Sequence, residues 1–395
     1  MPDETMTPQF ISNVRLVFPG EGITPGALLL SDGRIAEINP KSVPPNTMTI
    51  DGSGRLLTPG LIDVHTHGIH QFRYHHDTSA EHFSAAARVL GQYGTTCVFP
   101  TIVPSPGSKW IDNFSRLPLV LPQNRGTGMP GIHLEGPFVA LGGAACATLP
   151  GDLKLLDDLV AACAGRIAIM SISPEQKNIL AVIRRLRELD IVPFITHTRA
   201  SVEQTVAAID AGATHATHFY DVFPVPEETD PGVRPVGAVE TILADRRASV
   251  DFICDGVHVH PMAIRAAVAA KGWGGVILIT DSNIGAGLEP GDYETPWGYR
   301  VRVSPSNGVR HATENFLAGS ALTMDVGLKN LFRWLDLPPE QVWAMGTLNP
   351  ARLLNLSQKG RIAMGADADL VLWDENLRPV KTWVAGQCVY ERETD

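Results

Sequence analysis

Between residues 57 and 356, short apolar runs rich in β-branched and aromatic residues alternate with alanine- and leucine-rich segments of helical spacing. The runs are LIDVHTH (61–67), TTCVFPTIV (95–103), GIHLEGPF (131–138), IAIMSIS (167–173), IVPFITHT (191–198), THATHFY (214–220), VDFICDGVHV (250–259) and VILITDS (276–282). Segments such as AEHFSAAARVLGQYG, KNILAVIRRLRELD and VEQTVAAIDAGA separate them. Eight strands interleaved with helices predict a (β/α)8 TIM-type barrel. The competing arrangement, a doubly wound open sheet, normally carries a glycine-rich phosphate loop after its first strand. Here the first run ends in His-Thr-His instead.

Both ends of the chain have a different texture. FISNVRLVFPGEGITPGALLLSDGRIAEINP and GRIAMGADADLVLWDENLRPVKTWVAGQCVYE are brief strands broken by Pro-Gly, Ser-Asp-Gly and similar turn signals. Short β segments need partners to bury their faces. Residues 1–56 and 357–395 are therefore expected to form one small β-sandwich domain, with the barrel of residues 57–356 inserted between them. The irregular stretches DVFPVPEETDPGVRPVG and GAGLEPGDYETPWGYR read as loops over the barrel mouth.

Composition narrows the function classes. With 44% hydrophobic and 19% charged residues the chain can bury a large core. A net charge of −10 argues against a basic nucleic-acid face. Five scattered cysteines without a CxxC pair read as reduced thiols. The N-terminus carries no secretory pattern, and no apolar run approaches the roughly 18 residues of a membrane span. A cytoplasmic protein acting on a small molecule is the expectation.

Polar residues gather at the ends of the proposed strands. His65 and His67 alternate on the first strand, so both rings face the same side. Glu135 ends the third, His197 the fifth, His218 the sixth, His258 the seventh and Asp281 the eighth. Burying so many imidazoles and carboxylates without a cation would leave unpaired polar groups worth several kcal/mol. The set therefore predicts a metal site of imidazole and carboxylate ligands. Zinc is the first choice, with iron, manganese or cobalt chemically admissible. Glu135, His197 and His218 form a three-ligand set with an open position, and His65 and His67 a second position bridged by Glu135, so one or two ions are expected. Asp281 is the candidate general base and His258 the group that orients or polarises a carbonyl. His133, His215 and His260 read as structural, and His70, His75 and His76 as loop histidines without a metal role.

TPGLIDVHTHG, HLEGPF, DGVHVHP, ITDS, LAGSALTMD and NPARLLNL, followed by GRIAMGADADLVLWD, resemble the amidohydrolase superfamily and, within it, the N-acetylglucosamine-6-phosphate deacetylase family. The resemblance implies a metal-dependent deacetylase of amino sugars, a small β domain from both termini and a homodimer. It also implies metal ligands at Glu135, His197 and His218, a carbonyl contact at His258 and a catalytic aspartate at Asp281. The superfamily's carboxylated lysine on the fourth strand has no counterpart in IAIMSISPE.

Departures from that family fall on substrate recognition. Ala147 stands where the family has a histidine that contacts the sugar phosphate, and Asp221 with Val222 where it has Asn-Ala. A carboxylate at 221 would oppose a phosphate by about 1–4 kcal/mol at effective dielectrics of about 80 to 20. Arg234 lies close enough to replace the family's arginine, and Arg73 and Arg199 are further candidate anion contacts. Two other functions stay open: an amidohydrolase for a non-phosphorylated N-acyl amine, N-acyl amino acid or cyclic amide, and a non-catalytic barrel used as a binding module.

Overall fold

The structure, a computed structural model, describes residues 7–74, 77–104, 114–123, 126–143, 146–295, 299–304 and 308–393. His75 and His76 lie outside the described residues.

Eight parallel strands build the barrel in sequence order: Leu61–Thr66, Thr95–Ile102, Ile132–Glu135, Ile167–Ile172, Val192–Ile195, His215–Ala216, Ser249–Ile253 and Val276–Ile279. The cylinder closes just beyond the first and eighth strands. Asp281 N donates to His65 O at 2.9 Å, and His67 N donates to Ser282 O at 2.8 Å. Helices between the strands follow apolar periodicity. In Ile179–Glu188 the buried positions are Ile179, Val182, Ile183 and Leu186, one stripe facing the sheet. Val202–Ala211 is bounded by a Ser201/Gln204 capping box and ends on Gly212 at φ 118°.

The chain termini share a second sheet. Leu56–Pro59 pairs parallel with Gln9–Phe18 and antiparallel with Leu370–Trp373, which joins the N-terminal strands to the C-terminal hairpin Pro379–Val384 and Gln387–Glu391. Ile11, Leu16, Leu28, Ile35, Leu57, Leu370 and Trp383 pack into a core of their own, separate from that of the barrel. The strand Leu56–Pro59 leads straight into the first barrel strand through Gly60. A Cβ there would lie 2.0 Å from Thr96 Oγ1, so only glycine fits the crossing.

Two expectations about extent change. The barrel strands end earlier than the apolar runs do, so His197, His218, His258 and Asp281 stand beyond strand ends. The GAGLEPGDYETPWGYR stretch is not simply a loop. It supplies Gly291–Glu294, which pairs antiparallel with Arg300–Ser304 and through it with Gly308–His311. The reason is local burial: Val301, Val303 and Val309 alternate with outward residues and pack together with Ala318. Among the described residues no helix is long and apolar enough to cross a membrane.

Candidate metal centre and active site

The C-terminal ends of the barrel strands open on one cavity of about 400 Å³. Its lining includes His67, Glu135, His197, His218, Asp221, Val222, His258 and Asp281. His65 lies beneath, fully buried. His197, His218 and Asp281 share a device that periodicity does not predict: all three have a left-handed backbone, with φ of 46°, 34° and 45°. Non-glycine residues rarely adopt it, and it turns the chain sharply as each strand ends, aiming the side chain inward.

Glu135 is the hub. Its Oε1 lies 3.1 Å from His197 Nε2 and 3.2 Å from His218 Nε2, and its Oε2 lies 3.2 Å from His67 Nε2. Asp281 Oδ1 stands 3.4 Å from His67 Nε2 and 3.7 Å from His65 Nε2. Burial alone would raise the Glu135 pKa, but the bonds from His197, His218 and His67 outweigh it and hold the carboxyl well below its usual range. Burial likewise works against charge on His218, whose bond to Glu135 prevails and lifts it to about 10. For Asp281 burial dominates and raises it to about 6, although His67 and His218 pull the other way.

The far nitrogens of His65, His197 and His218 are held from behind, whereas His67 Nδ1 is buried without a hydrogen-bond partner among the described residues. His65 Nδ1 meets Thr217 Oγ1 at 2.9 Å, and Thr217 Oγ1 donates to Asp251 Oδ1 at 3.1 Å. His197 Nδ1 meets Leu141 O at 3.0 Å, and His218 Nδ1 meets Asp221 O at 3.3 Å. Each Nε2 is thus turned inward, the orientation that backing groups impose on ligating histidines. His65 Nε2 is buried without a hydrogen-bond partner among the described residues. Ligand atoms of His65, His67 and Asp281, and those of His65, Glu135 and His218, lie within 4.8 Å of one another. Converging Nε2 atoms, one of them orphaned, around two carboxylates fit a divalent cation.

A match to the amidohydrolase family spans residues 56–389. The chain belongs to the amidohydrolase family. Within it, the chain is 32% identical over 370 residues to N-acetylglucosamine-6-phosphate deacetylase of Lysinibacillus sphaericus, covering 91% of this chain and 92% of that one. It is 30% identical over 368 residues to N-acetylgalactosamine-6-phosphate deacetylase of Escherichia coli O157:H7, covering 91% and 93%. The crystal structure of N-acetyl-D-glucosamine-6-phosphate deacetylase from Mycobacterium smegmatis matches with a TM-score of 0.83 at 27% identity, covering 98% of this chain and 100% of that one.

Not every residue singled out in this amidohydrolase sequence reaches the mouth. Arg234 has a side chain 81% exposed, pairs with Glu240 at 2.7 Å, and stands outside the described lining. Arg199 is exposed and also stands outside, and Ala147 sits beside the lining rather than in it. Three other histidines have structural partners. His133 Nε2 meets Ser171 Oγ, His215 Nε2 meets Asp251 Oδ2, and His260 caps the helix Pro261–Lys271.

Several lining residues escape a sequence reading. Cys146, Gly143, Asn283, Tyr299 and Phe316 enter from loops. Cys146 Sγ falls within 4.8 Å of ligand atoms of Glu135 and His197, and burial pushes its thiol pKa upward. Asp255, which grips His258, is not singled out from the sequence, although its place at the head of the DGVHVHP motif is a signal for it.

Proposed function

We propose that this amidohydrolase removes the N-acetyl group from an amino sugar, as the names of its relatives indicate for them. The observation that carries this reading is the meeting, in one sugar-sized mouth, of Asp281, His258 and the Glu135 carboxylate with His197 and His218 both against it. Glu135, His197 and His218 would hold one divalent ion, and His65 and His67 a second. When bound, such an ion supplies Lewis-acid polarisation of the amide carbonyl and acidifies water.

The chain's own residues account for the remaining chemistry. Asp281 takes a proton from the attacking water as its oxygen bonds to the acetyl carbon. His258 donates from Nε2 to the developing oxyanion. Asp281 then returns the proton to the sugar nitrogen as the C–N bond breaks, leaving acetate and a free amine.

Zinc as the resident metal, a homodimer and a cytoplasmic location complete the reading. Five free cysteines, three of them buried, support a reducing compartment. A second reading, an N-acyl amine without phosphate, draws on Asp221 in the lining and Arg234 outside it. Turnover of N-acetylglucosamine 6-phosphate, N-acetylgalactosamine 6-phosphate, their unphosphorylated forms and N-acetyl amino acids by the metal-loaded chain separates the two. Acetate release from none of the amino sugars would reject the first.

A further inference from the structure

The mouth has acidic and basic flanks. Asp221, in the turn after the sixth strand, lines one flank, and its carboxylate favours the protonated forms of His218 and His258. The seventh and eighth strands separate this turn from a small hairpin after the first strand, in which Gly68 pairs with Arg73 and Ile69 with Phe72. Tyr74 N also donates to His67 O, so Arg73 is tied to backbone beside a candidate metal ligand.

Arg73 is only 8% exposed yet belongs to the cavity lining. Among the described lining residues it is the one lysine or arginine. Burial draws its pKa down to about 10, with Tyr299 close enough to oppose the drop. A guanidinium held away from bulk water is weakly screened, and its planar fork fits the paired oxygens of a phosphate or carboxylate.

We infer that Arg73 is the anion-recognising group of the substrate pocket, receiving a phosphate or carboxylate substituent of the N-acyl amino sugar at the hairpin flank, away from Asp221. This rests on the deacetylase reading. It accounts for how a chain with a carboxylate at 221 and with Arg234 outside the mouth can still take an anionic sugar.

Three substrates that differ only at C6 test it with the metal-loaded full chain: N-acetylglucosamine, its 6-phosphate and N-acetylglucosaminuronic acid. The quantity read is the ratio of kcat/KM for each anionic sugar to that for the uncharged one. The wild-type ratio should exceed one for at least one anion, and which anion it is names the substituent. Arg73→Met should lower that ratio roughly tenfold to a hundredfold, the range of a lost charged hydrogen bond, mainly through KM. Arg73→Lys should recover part of it, and Arg234→Met should leave it at the wild-type value. Metal content is measured for each variant, and Arg73→Gln gives the same reading should the methionine variant fold poorly. A wild-type ratio near one, or a ratio unmoved in both Arg73→Met and Arg73→Gln, overturns the inference and leaves the deacetylase reading standing. Absence of acetate release from all three sugars overturns both.

Discussion

Asp255 Oδ2 lies 2.7 Å from His258 Nδ1, while Asp255 Oδ1 accepts the backbone N–H groups of Val257 and His258. The carboxylate therefore fixes both the turn and the ring that the turn carries, and leaves Nε2 as the nitrogen available to a ligand. Burial works against charge on His258, but the bond to Asp255 outweighs it and raises the pKa. Asp255→Asn should lower kcat about tenfold to a hundredfold while metal content stays at the wild-type level. Steady-state kinetics with metal analysis decides it. An unchanged kcat would mean that His258 needs no such support.

Asp281→Asn should abolish turnover with metal content nearly unchanged. The wild-type pH profile bears on the same group. The side chain must be ionised to accept a proton, so kcat/KM falls as pH drops through its pKa. Burial holds Asp281 at about 6, and a cation beside it draws the value down. The acid limb should therefore lie at or below about pH 6. A limb well above that value would assign the essential base elsewhere.

Gly143 approaches the His197 ring so closely that a Cβ would lie 2.3 Å from Cε1. Gly143→Ala should displace the ring and weaken metal binding about tenfold to a hundredfold, the range seen when a ligand loses its orientation. Titration of the metal-depleted variant measures this. Wild-type affinity would show that His197 is not a ligand.

Lys359 Nζ lies 2.6 Å from Asp369 Oδ2 and 2.9 Å from Asp367 Oδ2. Asp369 is buried, and its Oδ1 accepts Ala385 N. Lys359→Met leaves that carboxylate without its countercharge and should destabilise the fold by about 3 kcal/mol. Denaturant unfolding reads the loss, and activity per folded molecule should persist because Lys359 is not among the residues that line the mouth. A midpoint equal to wild type would mean that the pair is silent.

Chelation should lower both activity and the unfolding temperature, since an ion that binds only the folded chain stabilises it. Restoring a divalent metal should recover both. An unfolding temperature indifferent to chelator would argue that the Nε2 cluster carries no ion.

Local pattern made much of this legible. Alternation places His65 and His67 on one face of a strand, and that holds wherever the strand packs. The order of eight apolar runs imposes the barrel, and turn-rich ends that cannot bury themselves separately lead to the shared sheet through Leu56–Pro59. Glu135 still belongs to its strand, so its position follows from the same periodicity.

Beyond a strand end that reasoning loses its hold. The directions of His197, His218 and Asp281 depend on left-handed turns, and Asp281 is secured by a bond to His65 O that exists only once the barrel has closed. Closure likewise brings Arg73 and Cys146 to the mouth while Arg234 goes to Glu240 and solvent. Periodicity is a property of neighbouring residues, so it determined the strands and the kinds of side chain at their ends. Which of those side chains share a cavity is set by contacts between residues far apart in the chain, and those arise only in the folded barrel.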